Sequence, residues 1–249
     1  LARRQRIDVI HAYEWPPCLD SFLGARLLGS IPVVCTVLSM GFDPLVPTTV
    51  PLLMGTQELA AEVAEHWSGQ VGVMEPPIDT DKDRPGIDGA AFRLRRGVGD
   101  DELLVVSVSR LSVDLKLDAL KDVIDGVCAV ADAFPVRLVL VGEGDAAEEL
   151  AGRAAAANRS AGRTIVQLVG PMLDPREAYA AADVVAGMGS SSLRAMAHGK
   201  PVVVQGERGF AEVFDEQSAA QFFHAGFYGL GEQAPGADAV APGLRLLLR

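Results

Sequence analysis

Short runs of β-branched and other apolar residues alternate along this chain with longer Ala- and Leu-rich segments whose apolar positions recur every three or four residues. A continuous apolar run indicates a buried strand, and a stripe of helical period indicates an amphipathic helix. Their alternation is typical of βαβ units, in which helices join parallel strands. The pattern therefore predicts an α/β protein with parallel sheets.

The first part of the chain predicts three strands and one helix around an irregular loop. The strands are expected at residues 7–11, 31–36 and 52–56, and the helix at 20–28. The segment 39–51 contains three prolines. Because proline removes a backbone donor and fixes φ, this segment is expected to be a loop.

The alternation is clearest after residue 101, where five strands and their helices are expected. The strands are predicted at 103–108, 137–141, 164–169, 184–186 and 201–205. The helix after the first strand carries an apolar stripe formed by Leu117, Leu120, Ile124, Val127 and Phe134. Further helices are expected at 174–182 and 190–198, and an Ala-rich one is expected to be capped by Asp145. Five strands with intervening helices suffice for one nucleotide-binding half of a doubly wound fold.

Residues 76–100 interrupt this alternation with proline, glycine and aspartate, and we interpret them as an interdomain linker. The linker divides the chain into an amino-terminal domain at 1–75 and a carboxy-terminal domain at 101–249. The tail after Phe210 is Gly-rich and weakly patterned, and it predicts no chemistry.

Composition narrows the functional classes. The chain has 249 residues, of which 49% are hydrophobic and 22% charged, and this balance excludes a disordered or fibrous protein. Its net charge of -11 argues against nucleic acid as a partner, because binding the phosphate backbone needs a basic surface. No apolar run approaches the length of a transmembrane segment. The three cysteines, Cys18, Cys35 and Cys128, form no CxxC pair, so free thiols in a cytoplasmic protein are expected.

The strongest candidate for chemistry is the turn that follows the predicted strand 184–186. Gly187-Met188-Gly189-Ser190-Ser191-Ser192 runs directly into a helix. Two glycines allow close approach of a ligand, and the start of a helix offers free N–H groups to an anion. The turn therefore suits a phosphate or diphosphate. It is equally compatible with a plain serine-capped connection between strand and helix.

Two other strand ends carry candidate residues. Arg110 follows the strand 103–108, with Lys116 six residues later, and Gly142-Glu143-Gly144 follows the strand 137–141. Ligands of open parallel sheets bind at the carboxyl ends of strands, so these residues could meet the Ser-rich turn in one site. Alternatively, the two cations form an exposed pair at a helix start.

The order of these motifs resembles that of the family-4 glycosyltransferases, which have the two-domain GT-B architecture. Ser109-Arg110-Leu111 with Lys116 is similar to the family's GRL…K segment, and Val141-Gly142-Glu143-Gly144 to its VGDG turn. The run from Leu193 to Val203, LRAMAHGKPVV, resembles the specific stretch LEAMAxGxPVV, and Pro77-Ile78-Asp79 belongs to an NPxD-like segment. Motifs in this order extend from about residue 7 to about residue 213.

The resemblance implies two Rossmann-like domains facing a cleft, with the amino-terminal domain incomplete and the family's final helices missing. It also implies a retaining transfer of sugar from a nucleotide-diphosphate sugar to a small-molecule, saccharide or lipid-linked acceptor, without a metal or another cofactor. Carried over by position, the residues expected to hold the donor diphosphate are Arg110, Lys116, Gly189, Ser190, Ser191 and Arg194. Those expected around the nucleotide and sugar are Gly142, Gly144, Gly170, Pro171, Met172, Gly187 and Met188.

Three departures from the family pattern keep a second interpretation open. The Glu-x7-Glu signature falls on Ala186 and Arg194, and Leu38 occupies the place of a histidine near the sugar. Arg194 is expected either to reach the diphosphate or to turn outward and pair with an acid such as Glu207. The losses allow a divergent active enzyme or a non-catalytic, nucleotide-binding GT-B protein that regulates another transferase.

Overall fold

The computed structural model describes residues 7–28, 31–41, 45–232 and 236–249. The chain forms two compact units. Unit 1 comprises residues up to Pro77 together with Ala220–Gly226, and unit 2 comprises Ile78–Ala219 and Phe227–Arg249.

Unit 1 contains a parallel sheet of four strands within the described residues, in the order β1-β2-β3-β4. The strands are β1 (Ile10–Tyr13), β2 (Val33–Val37), β3 (Leu52–Met54) and β4 (Val71–Val73). Helix α1 (Trp15–Leu28) follows β1, and α2 (Gln57–Ala64) follows β3. Strand β3 ends two residues before the predicted limit because Thr56 caps α2, its hydroxyl accepting a hydrogen bond from the Leu59 amide at 3.1 Å.

Unit 2 contains a six-stranded sheet in the order β10-β9-β8-β5-β6-β7. Its parallel strands are β5 (Leu103–Val108), β6 (Val136–Val141), β7 (Val166–Leu168), β8 (Val184–Gly187) and β9 (Val202–Gln205). The edge strand β10 (Ala211–Val213) pairs with β9 in the antiparallel direction. The α/β class with parallel sheets that the sequence predicted is confirmed.

The helices of unit 2 connect these strands and cover the sheet. They are α3 (Ala90–Arg96), α4 (Val113–Val130), α5 (Ala147–Ala161), α6 (Arg176–Ala181), α7 (Ser190–Ala197) and α9 (Ala237–Leu247). Helix α8 (Ala219–Ala225) lies between β10 and α9 in the chain. The stripe predicted on α4 is buried at Leu117, Leu120, Ile124 and Val127, whereas Phe134 lies beyond the end of the helix. Burial of this apolar face against the sheet is the main source of its stability.

Three expectations from the sequence need correction. Residues 76–100 are not simply a linker: from Ile78 onward they belong to unit 2, and they contain α3 and the buried Asp83. The weakly patterned tail forms β10, α8 and α9, and residues 220–226 belong to unit 1 rather than to a domain at 101–249. Helix α9 follows, and its buried residues Val240, Ala241 and Leu244 share a core cluster with those of α4.

Asp145 was expected to cap the Ala-rich helix, and it does not. Helix α5 starts at Ala147 after Ala146, whose side chain makes no capping bond. The Asp145 carboxylate instead accepts a hydrogen bond from the Val113 amide at 2.9 Å. It thereby ties the turn after β6 to the beginning of α4.

None of the helices in the described ranges combines the length and apolar character needed to cross a bilayer.

Candidate functional site

A cavity of about 480 Å³ lies in unit 2 beside the carboxyl ends of its central strands. The predicted site residues that line it are Arg110, Lys116, Gly142, Pro171, Met172, Met188, Ser190, Ser191 and Arg194. Gly144, Gly170, Gly187 and Gly189 lie in the same turns but are not part of its wall. Its wall also contains side chains that the sequence did not single out, notably Glu143 and Tyr179.

Arg110 and Lys116 are brought together at the carboxyl end of β5. Leu115 adopts a left-handed φ of 69°, so the regular part of α4 begins at Lys116. Neither cationic head group forms a hydrogen bond or salt bridge with the described residues. Burial and the nearby charge of Arg110 lower the pKa of Lys116 to about 8, and Glu207 opposes this shift. The cavity therefore holds two cations that lack an anionic partner among those residues.

Gly142 and Gly144 let the turn after β6 pack directly against the Arg110 loop. A Cβ on Gly142 would lie 1.8 Å from the Ser109 carbonyl oxygen, and one on Gly144 would lie 2.2 Å from that of Leu111. Their φ angles of 151° and 155° also disfavour other residues. The Leu111 amide donates to the Glu143 carbonyl at 2.8 Å, so the two loops form one rigid wall.

The loop after β7 joins this wall through its backbone. The Gly142 amide donates a hydrogen bond to the Gly170 carbonyl at 2.9 Å, and Gly170 has a φ of 73°. Pro171 and Met172 then line the cavity with apolar surface. This end of the cavity suits a flat, uncharged group better than an anion.

The Ser-rich turn after β8 has the geometry of an anion-binding helix start. Gly189 has a φ of 57°, and its carbonyl accepts from the amides of Ser192 and Leu193 at 3.0 and 3.3 Å. In the part of the chain that the structure describes, the amides of Ser190 and Ser191 have no backbone acceptor, as expected at the first turn of a helix. A Cβ on Gly187 would lie 2.7 Å from the Ser191 hydroxyl, so a larger residue beneath the turn would require that hydroxyl to move.

Arg194 lines the cavity, and its guanidinium contacts Asp83 and the ring of Tyr179. Its Nε and Nη2 donate to the Asp83 carboxylate at 2.7–3.1 Å, and its guanidinium carbon lies 5.1 Å from the centre of the Tyr179 ring. His198 Nε2 lies 3.2 Å from Asp83 Oδ1. The expected alternative of a pair with an acid is therefore realised, but the acid is Asp83 rather than Glu207. Glu207 instead accepts a hydrogen bond from the Tyr228 hydroxyl.

The protonation states in this cluster follow from its geometry. Burial raises the pKa of Asp83, but its hydrogen bonds with Arg194 and His198 and the charge of Arg194 outweigh it, so the net shift is downward. Burial also lowers the pKa of His198, against the opposing effect of Asp83. At neutral pH the cluster therefore combines a carboxylate, a guanidinium and a neutral imidazole.

The sequence pattern does not mark Asp83 as a site residue. It lies in the segment interpreted as a linker, among other aspartates and several prolines. No local signal distinguishes it from its neighbours. Glu143 was part of a recognised turn, and its position between two glycines was the signal that could have identified it.

The described residues contain no group of three or more His, Cys, Asp or Glu side chains placed to hold a metal ion. The two positions of the Glu-x7-Glu signature likewise offer no carboxylate: Ala186 is buried in β8, and Arg194 is the cation described above.

Comparison with solved structures shows what fold these units have. Anabaena Alr3699/HepE in complex with UDP and glucose superposes with a TM-score of 0.71 at 18% identity, over 98% of this chain and 69% of that one. A glycosyltransferase from Rickettsia africae gives 0.72 at 12% identity, over 99% and 68% of the two chains. The UDP-forming α,α-trehalose-phosphate synthase from Burkholderia xenovorans gives 0.68 at 15% identity, over 99% and 67%. These likenesses confirm the GT-B fold class that the motifs implied.

Sequence comparison identifies the family itself. No curated protein matches the chain. The family model described as "Glycosyl transferases group 1" matches residues 102–228, which is just over half of the chain and includes every residue of the cavity wall. The chain belongs to the group 1 glycosyl transferases.

Proposed function

We propose that this protein is a retaining family-4 glycosyltransferase that moves a sugar from a nucleotide-diphosphate sugar to a small-molecule, saccharide or lipid-linked acceptor. The observation that carries the proposal is the cavity of unit 2, which is lined by two cations and by a helix start. Among the described residues, these cations have no hydrogen-bond or ion-pair partner and two amides of the helix start have no backbone acceptor. A diphosphate matches this combination in charge and in hydrogen-bonding capacity. Solved structures of the same fold contain UDP or UDP-glucose, which supports a nucleotide sugar as donor.

The donor groups are assigned along the edge of the sheet. The diphosphate is bound by Arg110, Lys116 and the amides of Ser190 and Ser191. The N–H groups of Arg194 that do not contact Asp83 add further donors. Pro171 and Met172 receive the base, with Gly170 supporting their loop. Gly187, Met188 and Gly189 shape the Ser-rich turn, and Gly142 and Gly144 hold the turn after β6.

The proposed chemistry follows from the charge of the leaving group. The bond between the anomeric carbon and the diphosphate oxygen breaks, and its electron pair stays on the diphosphate. An acceptor hydroxyl bonds to the same face of the anomeric carbon and transfers its proton to the departing diphosphate oxygen. Positioned cations and helix amides stabilise the developing negative charge, which is the role that a metal has in other transferases. We therefore propose that no divalent metal is needed.

A cytoplasmic location is part of the proposal. It is supported by the three cysteines, all of which are free thiols in the structure. Free, buried thiols are typical of proteins that work in a reducing compartment.

The direct test is an assay of the full chain with a panel of nucleotide sugars, followed by detection of the released nucleoside diphosphate. Slow hydrolysis of one donor is expected even without an acceptor, and the anomeric configuration of the product reports retention. The Arg110→Ala/Lys116→Ala double variant is the control. Release from the parent and the double variant at the same rate would contradict the assignment of the cavity.

A second function remains favoured by one observation. Neither position of the Glu-x7-Glu signature carries a carboxylate, and Leu38 replaces the histidine of the other half. These losses suit a non-catalytic protein that binds a nucleotide and regulates a partner transferase. Tight binding of a nucleoside diphosphate without hydrolysis or transfer from any donor would favour this alternative.

A further inference from the structure

The strand order of unit 2 places the turn containing Glu143 between two different parts of the cavity. The carboxyl ends of β8, β5, β6 and β7 are adjacent in that order along the sheet. The unpaired cation Arg110 and the Ser-rich turn follow β5 and β8, whereas the apolar Pro171 and Met172 follow β7. Glu143 follows β6, so it lies between the anion-binding end and the apolar end.

In a nucleoside diphosphate, the ribose lies between the diphosphate and the base. If the diphosphate occupies the cationic end and the base occupies the apolar end, the ribose that joins them lies beside the turn after β6. The two ribose hydroxyls are hydrogen-bond donors that an ionised carboxylate can accept together.

Glu143 is the acidic side chain available for this role. Among the described residues of the cavity wall it carries the only carboxylate, and its side chain has no hydrogen-bond or ion-pair partner there. Asp83 is not a substitute, because its oxygens are already engaged by Arg194 and His198 and its side chain is only 9% exposed.

The turn also fixes the backbone of Glu143. Its carbonyl accepts from the Leu111 amide at 2.8 Å, and neither flanking glycine leaves room for a Cβ. A carboxylate in a cavity built for an anion opposes binding through charge repulsion, unless ligand donors engage it. Two hydroxyls that donate to it offset this repulsion.

We infer that Glu143 is a specificity-determining residue that accepts hydrogen bonds from the ribose hydroxyls of the donor nucleotide. This inference rests on the proposed nucleotide-binding function. It makes this chain selective for ribonucleotides through a carboxylate on the turn after β6.

The test compares one nucleoside diphosphate with its 2′,3′-dideoxy form by titration calorimetry on the full chain. UDP, GDP and ADP are titrated first, and the tightest of the three is used. The variants are Glu143→Ala and Glu143→Gln. Glu148→Ala is the matched control, because it removes the same charge from an exposed position outside the cavity wall.

The parent and the Glu148→Ala control are expected to prefer the ribonucleotide by about tenfold or more, the ratio for hydrogen bonds to a charged group. Glu143→Ala is expected to abolish this preference, and Glu143→Gln to reduce it, because one amide oxygen can still accept. A preference that Glu143→Ala leaves unchanged would overturn the inference. Equal tightening of both ligands would also overturn it, since the carboxylate would then only repel the diphosphate. If the parent binds none of the three nucleotides, the proposed function itself fails, and the inference fails with it.

Discussion

Arg194 and Asp83, which are 111 positions apart in the chain, form a side-on pair in which Nε lies 3.1 Å from both carboxylate oxygens and Nη2 lies 2.7 Å from Oδ1. The pair uses one edge of the guanidinium, and the remaining N–H groups have no hydrogen-bond partner among the described residues, while Arg194 lines the cavity. Asp83 thus connects the segment before α3 with helix α7, and it holds a side chain of the cavity wall in place.

Removal of Asp83 is expected to destabilise unit 2. The Asp83→Ala variant leaves the partly buried Arg194 and the buried His198 without their shared acceptor, and breaking such a pair costs about 3 kcal/mol. Urea unfolding measures this change in free energy. Asp81→Ala, at an exposed neighbouring position, is expected to change it by less than about 0.5 kcal/mol. An equal effect of the two substitutions would show that the pair is energetically unimportant.

Loss of either cation at the carboxyl end of β5 is expected to weaken binding of a nucleoside diphosphate. Lys116→Ala is expected to cost about 1.5–3 kcal/mol, the range for a hydrogen bond to a charged group, and Arg110→Ala a similar amount. The two effects are expected not to add, because both side chains serve one diphosphate. Lys121→Ala is the control, since that side chain pairs with Glu149 outside the cavity. If both variants bind the nucleoside diphosphate as tightly as the parent, the two cations do not contact the ligand.

Binding of the diphosphate is expected to weaken as pH rises above 8. The pKa of Lys116 in the empty cavity is about 8, below its ordinary value. Above this pH the free protein must take up a proton to bind the anion, so affinity falls by up to about tenfold per pH unit. Calorimetry between pH 7 and 9.5 measures this slope. The Lys116→Met variant, which is expected to bind more weakly with a flatter profile, is the control, and an equal slope in both proteins would exclude Lys116 as the titrating group.

Substitution of Arg194 is expected to affect the diphosphate more than the nucleoside. Arg194→Ala removes the N–H donors that Asp83 does not engage, and Arg194→Glu adds a negative charge next to Asp83 and the ligand. Affinity for the nucleoside diphosphate is therefore expected to fall in both variants, further in Arg194→Glu, while affinity for the bare nucleoside changes less. Tighter binding by Arg194→Glu would show that a carboxylate at this position serves the ribose, and it would contradict the assignment to Glu143 as well.

The sequence predicts most of what depends on local pattern. The bounds of β5 and the buried stripe of α4 follow from periodicity, and the strand ends that carry Arg110 and Ser190 locate the cavity. The partners of those residues could not be predicted. The role of Asp83 depends on a contact across 111 positions, and its Pro- and Asp-rich surroundings have the composition of a linker. Short elements such as β10 and α8 depend on tertiary packing and have no clear period of their own.

We expect the cavity of unit 2 to bind a nucleoside diphosphate through cations and helix amides without a metal. Calorimetric titration of UDP, GDP and ADP into the full chain, in the presence of EDTA, measures this binding. Saturable binding of at least one of them to the parent is expected, with affinity unchanged by added Mg²⁺ and lost in the Arg110→Ala/Lys116→Ala double variant. Binding that requires Mg²⁺, or that the double variant retains in full, would contradict the account.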